Sequence, residues 1–157
     1  MKKIQLIASD IDGTLLLNGS QAIDPEIFNL IHKLQQKGIL FMAASGREYT
    51  NLRNLFSPVA DDIAYLCLNG CISFYKGECI SKEVMDTELA RKLITTIQND
   101  LNAEVLVSGE KTCYITPNNQ SYYEHLTNTV KNHVTIVDDL LNIPEPYTKY
   151  LLILKMV

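Results

Sequence analysis

An α/β fold built on a parallel sheet is what this sequence predicts, and three observations predict it. An apolar run rich in Ile and Leu, beginning at Ile4, ends at two aspartates one residue apart, Asp10 and Asp12. A second run, Ile39 to Ala44 (ILFMAA), is unbroken and ends at Ser45-Gly46-Arg47. Each run is followed by a stretch whose apolar residues recur at the helical period. Unbroken apolar runs suit strands buried on both faces. Strand, helix, strand, helix is the βαβ rhythm of a parallel sheet.

The elements follow in order. After the Asp loop, Asp24-Pro25 has the chemistry of a helix start, with Asp as N-cap and Pro at the first helical position. Ile27, Leu30, Ile31 and Leu34 then form one apolar stripe, and Gly38 closes the helix. His32 lies beside that stripe without a second metal-type ligand and reads as a boundary residue. A helix with Tyr49, Leu52, Leu55 and Phe56 follows the second strand, and Ile63 to Leu68 (IAYLCL) is a third strand. Asn69-Gly70 leaves that strand in a turn, and the alternation around Lys76-Gly77 predicts a hairpin with a two-residue turn. Residues 1–83 therefore read as a Rossmann-like parallel-sheet core.

The pattern changes after Val84. Asp86 can cap a helix carrying Ala90, Leu93, Ile94, Ile97 and Leu101. Strands are expected from Ala103 (AEVLVS) and from Thr112 (TCYIT), joined around Gly109. Tyr122, Tyr123, Leu126 and Val130 suggest a further helix, with the tyrosines packing rather than stacking on a ligand. VTIV and, after Pro144 and Pro146, YTKYLLILKMV complete the strands of a second α/β region, residues 84–157.

Composition excludes several classes. An apolar fraction of 46% with 20% charged residues is ordinary for a folded soluble chain. A net charge of −4 gives no basic face for nucleic acid. No apolar run approaches the ~18 residues that span a bilayer, and Asp10 arrives too early for a signal-peptide core. The chain reads as cytoplasmic. Cys67, Cys71, Cys79 and Cys113 have neither CxxC nor zinc-ligand spacing, so reduced, partly buried thiols are expected.

Ligands of open α/β sheets bind outside the carboxyl ends of the strands. That edge would carry Asp10 and Asp12 from the first loop and Ser45 from the second. Of two close carboxylates, one can act as nucleophile or metal ligand while the other moves a proton. Gly13 lets the backbone turn and aim N–H groups at an anion. The Ser45 hydroxyl and the Gly46 backbone suit a phosphoryl oxygen. Arg47 suits an anionic substrate or the neighbouring carboxylates. A solvated Asp-Gly turn would share the first motif. A calcium loop would need Glu at its twelfth position and a helix in front, whereas Gln21 stands twelfth from Asp10 and a strand precedes it.

SDIDGTLL resembles the first signature of the haloacid dehalogenase-like hydrolases, and AASGR resembles the second. Together with LNG, they resemble the Cof-like phosphatases, in which Asn-Gly is usually followed by Ala where this chain has Cys71. The resemblance implies a core with an inserted α/β cap over the site, both incomplete here. It implies Mg²⁺ held by the Asp10 carboxylate and the Asp12 backbone carbonyl. Asp10 would form an aspartyl-phosphate, and Asp12 would serve as acid and base. Ser45 with the Ile11 and Gly13 amides would steady the phosphoryl group, with Gly46, Arg47, Asn69 and Gly70 near the substrate. Sugar phosphates or related small phosphoesters are the implied substrates.

The family also supplies a late lysine and a Gly-Asp loop, which this sequence lacks. Lys149, Lys155 and Asp138-Asp139 do not fit those roles. The alternative expectation is therefore a truncated, catalytically incomplete fragment. A third reading, a small anion- or metal-binding module, gives no reason for a cap. The final strand breaks off at Val157, and an unpaired sheet edge predicts self-association.

Overall fold

The computed structural model describes residues 3–17, 19–100, 103–116 and 120–154. The chain forms two compact units, Met1–Lys82 and Glu83–Val157. In the first, β1 (Leu6–Asp10), β2 (Leu40–Ala44) and β3 (Ala64–Cys67) run parallel. Helices α1 (Pro25–Gln36) and α2 (Tyr49–Leu55) make the two crossovers. Antiparallel strands β4 (Ile72–Tyr75) and β5 (Glu78–Lys82) extend the sheet in the order β1-β2-β3-β4-β5. They are joined by a two-residue turn in which Lys76 and Gly77 both have positive φ, the requirement of the tight hairpin.

Register decides what meets at the carboxyl edge. Asp10 lies opposite Ala44, and Ala44 opposite Leu66. The three strand ends, with the Asp loop, the Ser-Gly-Arg loop and the Leu68–Gly70 turn, therefore finish side by side.

Aromatic packing seats α1 and α2 on the sheet. Phe56, fully buried, meets Phe28 edge-on at 6.2 Å and Phe41 at 6.1 Å. Tyr49 stacks on Phe74 at 3.8 Å and meets Tyr65 edge-on at 5.3 Å. The α1 stripe departs from expectation in one place. Leu30 is 46% exposed, and Phe28 packs inward instead. Phe28 lies on the flank that reaches Phe56, so contact with a neighbouring element rather than helical period alone selects the buried face. His32 is exposed and bonds Gln35 Oε1 at 3.2 Å.

Among the described residues β1 is an edge strand, with Leu6 47% and Ile7 36% exposed. A strand of the parallel type is ordinarily covered on both faces, so this exposure marks the open side of the sheet. None of the four cysteines forms a disulfide. Cys67 is buried, which pushes its thiol up to about 12, whereas Cys79 on β5 is exposed rather than partly buried.

The second unit contains α3 (Thr87–Asp100) and a sheet of order β8-β7-β6-β9. Its strands are β6 (Ala103–Ser108), β7 (Cys113–Ile115), β8 (Val134–Ile136) and β9 (Lys149–Leu154). Asp86 caps α3 by accepting the Leu89 N–H at 2.8 Å. The expected last stripe residue, Leu101, and Lys155 lie outside the described residues. Buried β6 packs Val105 and Val107 under Ala90 and Ile94. The expected helix around Tyr122 is α-helical only over α4 (Gln120–Glu124) and continues as a π-helical stretch, His125–Val130. There the Thr127 hydroxyl donates to the Tyr123 carbonyl at 2.9 Å, a back-bond that competes for the helical acceptor. Tyr122 is buried with Leu106, Ile115 and Leu126. No helix among the described residues is long and apolar enough to cross a membrane.

At the start of α1, Asp24 Oδ1 accepts the Glu26 N–H at 2.9 Å. Asp24→Ala should lower stability by about 1 kcal/mol, measured by urea denaturation.

Candidate active site

Asp10, the last residue of β1, is exposed where the strand leaves the sheet. It lines a shallow pocket of about 250 Å³ with Ala44, Ser45, Gly46, Leu66, Asn69 and Gly70. The loop beyond it is tied by its own backbone. The Ile11 carbonyl accepts from Thr14, Leu15 and Leu16, the last two at 2.9 Å, and the Gly13 N–H donates to the Leu16 carbonyl at 2.9 Å. Ile11 is wholly buried beneath it. The expectation that Gly13 offers its amide to an anion therefore needs correction in this conformation. The donor is already used in closing the loop.

Asp12 does not point into an open anion site either; it is gripped by Arg47. The guanidinium donates from Nη2 to Asp12 Oδ1 at 2.7 Å and from Nε to Oδ2 at 3.0 Å. This is the two-pronged geometry that arginine makes with carboxylates. The hydrogen-bonded guanidinium holds the Asp12 carboxyl below its ordinary pKa, against a smaller opposing effect of burial. Ser45 Oγ stands 3.5 Å from Asp12 Oδ2 and accepts the Arg47 backbone N–H at 3.2 Å.

The third strand end supplies the opposite wall. Ser45 N–H donates to the Leu66 carbonyl at 2.9 Å, Asn69 N–H to the Ser45 carbonyl at 3.2 Å, and Leu68 N–H to the Arg47 carbonyl at 3.1 Å. Leu68 and Asn69 both have left-handed backbone, with φ of 52° and 56°, so this is a strained turn rather than a plain hairpin bend. Such a conformation costs a non-glycine residue of order 1–3 kcal/mol and persists only when neighbours enforce it. Here the burial of Leu68 and the two backbone bonds do so. The turn carries the Asn69 side chain over Gly46. A Cβ on Gly46 would come within 2.7 Å of Asn69 Oδ1, so any larger residue there would push the Asn69 side chain aside.

Seven of the nine residues singled out from sequence thus lie around one carboxyl edge: Asp10, Asp12, Ser45, Gly46, Arg47, Asn69 and Gly70. Of the other two, Gly13 spends its amide inside the loop, and Ile11 is buried with its carbonyl accepting from the loop. Two further residues join them without having been anticipated. Thr14 Oγ1 reaches Asp10 Oδ2 at 3.4 Å, and Asn51 Oδ1 accepts from Arg47 Nη1 at 3.0 Å. The four-residue spacing from Arg47 to Asn51 was the available signal for the second.

A hard divalent cation fits the oxygen donors present. Among the described residues no three metal-binding side chains converge, but Mg²⁺ is commonly held by one or two carboxylates plus water and phosphate. With the Asp12 carboxylate engaged by Arg47, the available donors at this edge are the Asp10 carboxylate and the Asp12 carbonyl.

The electrostatics give a titration with a definite sign. Because its native pKa is lowered, the stabilisation Asp12 contributes is present above its unfolded pKa and is lost as pH falls through the native value. Arg47→Met should raise the Asp12 midpoint toward the ordinary carboxylate value, measured by carbon-13 NMR of the side-chain carboxyl.

Comparison with known proteins places these features in a family. Residues 7–156 match the model of the haloacid dehalogenase-like hydrolases. The 5-amino-6-(5-phospho-D-ribitylamino)uracil phosphatase YbjI of Escherichia coli is 25% identical over 151 residues, covering 94% of this chain and 54% of its own length. A phosphoglycolate phosphatase of Sulfolobus acidocaldarius is 34% identical over 97 residues, covering 61% of this chain and 41% of its own. A crystal structure from Eubacterium rectale superposes with a TM-score of 0.81 at 27% identity, covering 92% of this chain and 55% of that one. The fold recurs in a haloacid dehalogenase-like hydrolase from Bacteroides thetaiotaomicron, with a TM-score of 0.78 at 23% identity over 96% of this chain and 58% of the other. The chain spans about half the length of the curated relatives it matches. Its paired aspartates, its Ser-Gly-Arg loop and this match over nearly its whole length make the chain a member of the haloacid dehalogenase-like hydrolase family.

Proposed function

We propose that this chain carries the nucleophile half of an Mg²⁺-dependent phosphatase acting on small phosphoesters, sugar phosphates or similar metabolites. One observation carries the reading. Asp10 stands exposed at the wall of a pocket whose lining includes Ser45, Gly46, Asn69 and Gly70, and Asp12 follows two residues on in the grip of Arg47. The phosphatases named among the relatives support the same class.

In this mechanism an Asp10 carboxylate oxygen attacks phosphorus in line. A bond forms from that oxygen to phosphorus, and the bond to the ester oxygen breaks. Asp12 gives its proton to the departing alkoxide. It then takes a proton from the water that attacks the aspartyl-phosphate, releasing phosphate and restoring Asp10. A bound Mg²⁺ would neutralise charge on the phosphoryl oxygens. The Ser45 hydroxyl would donate to one of those oxygens. Arg47 has a double part. Its grip disfavours protonated Asp12, so the acid step requires Asp12 to leave that grip as an arriving phosphoryl group takes up the same N–H pair. The unit Glu83–Val157 would serve as the family's cap, selecting the substrate.

Hydrolysis of p-nitrophenyl phosphate tests the reading. Activity should require Mg²⁺, vanish with EDTA and fall by about 10³-fold or more in Asp10→Asn. Turnover equal in Asp10→Asn and the parent chain would overturn it. The open β1 edge adds a second expectation, self-association through strand pairing. Sedimentation velocity should show concentration-dependent association that Leu6→Lys reduces.

A further inference from the structure

Asn51 is a buried polar residue in the first turn of α2, only 5% exposed. Burying an amide costs free energy unless its hydrogen-bonding groups are satisfied. Its position is therefore explained by what it bonds. Asn51 Oδ1 accepts from Arg47 Nη1 at 3.0 Å, while the other two guanidinium nitrogens, Nε and Nη2, each donate to Asp12.

That division of donors has a geometric consequence. A guanidinium is planar, so fixing one Nη in a buried acceptor and the backbone at the other end leaves the side chain little freedom. The Arg47 backbone is fixed at both its groups. Its N–H donates to Ser45 Oγ, and its carbonyl accepts from Leu68. With Nη1 held by Asn51, Nε and Nη2 present a pair of donors in one plane toward the Asp12 carboxylate. Asp12 itself is 56% exposed and Arg47 27% exposed in their side chains. A pair this open to water gains little from charge attraction alone, and its defined orientation must come from elsewhere.

We infer that Asn51 is the positioning residue of this site: it anchors the Arg47 guanidinium so that the same two N–H donors meet Asp12 and, in turn, an incoming phosphoryl group. The catalytic part of this inference rests on the phosphatase reading; the anchoring part does not. Asn51 reaches the site through its bond to Arg47. Loss of the anchor would leave the charges in place and loosen their geometry. Small misplacements of that kind lower turnover more than they lower binding.

Two readouts test it. Nitrogen-15 NMR of the arginine Nε–H groups, with the Arg47 signal assigned by its loss in Arg47→Lys, follows the anchor without substrate or metal. In Asn51→Leu, which keeps the branched shape and removes the acceptor, Arg47 Nε–H exchange with water should rise about tenfold, while Asn51→Asp, which keeps an acceptor oxygen, should restore slow exchange. Asn51→Ser replaces Asn51→Leu if the latter does not fold by circular dichroism. On p-nitrophenyl phosphate with Mg²⁺, Asn51→Leu should lower kcat about tenfold with KM changed less than threefold, and Asn51→Asp should recover most of kcat. Unchanged Arg47 Nε–H exchange in a folded Asn51→Leu or Asn51→Ser would overturn the anchor. If the parent chain shows no Mg²⁺-dependent turnover while the exchange rises as expected, the anchor stands and the phosphatase reading falls.

Discussion

Everything at the carboxyl edge depends on the parallel register that sets Asp10 opposite Ala44 and Ala44 opposite Leu66. The side chains of a strand alternate faces, so a slip of one residue would turn each of them to the opposite face of the sheet. In the observed register, three loops that are far apart in the chain leave the sheet at one level. Backbone bonds then lock the second and third together, from Ser45 to Leu66, Asn69 to Ser45 and Leu68 to Arg47. The pocket at Asp10 is the space left between those loops. It owes its existence to pairing rather than to any one loop's conformation.

The polar contacts built on that frame set position more than stability. The Arg47–Asp12 pair is well formed at 2.7 Å yet open to water, a setting in which an ion pair contributes at most about 1 kcal/mol. The left-handed turn at Leu68 and Asn69 is unfavourable in itself. Gly46 forgoes a side chain so that Asn69 can close over it. Costs of this kind concentrate at one place and are offset by the aromatic packing of Tyr49, Phe56, Tyr65 and Phe74 beneath α2. That packing holds the helix whose first turn carries Asn51, and through it the plane of Arg47. A rigid core thus supports a small, strained and solvent-facing edge.

The second unit obeys the same logic with other parts. Its central strand β6 is buried along its whole length, and α3 covers one face through Ala90 and Ile94. At the end of the sheet, Glu145 accepts from the Glu110 N–H and the Tyr114 hydroxyl, each at 2.6 Å, and so ties the Gly109 turn to the segment before β9. These contacts make it a folded body in its own right.

Much of the parallel order was legible in the chain itself, because an apolar run, a capped amphipathic helix and an unbroken apolar run admit few arrangements. Asp24-Pro25, Asp86 and Lys76-Gly77 announce local events through local chemistry, and each is found where that chemistry puts it. The residues of the edge were legible for the same reason, since strand ends are where apolar runs stop. What the sequence alone could not settle depended on neighbours remote in the chain. Leu30 and Phe28 compete for the core on one helix, and only the position of Phe56 decides between them. The Gly13 amide is free to serve an anion in any local reading, until the loop folds back and Leu16 takes it. Arg47 could have faced substrate, solvent or carboxylate. Its choice of Asp12, and the part of Asn51 in that choice, exist only once β1 and β2 lie side by side, because hydrogen bonds between strands depend on distance in space and not on distance along the chain.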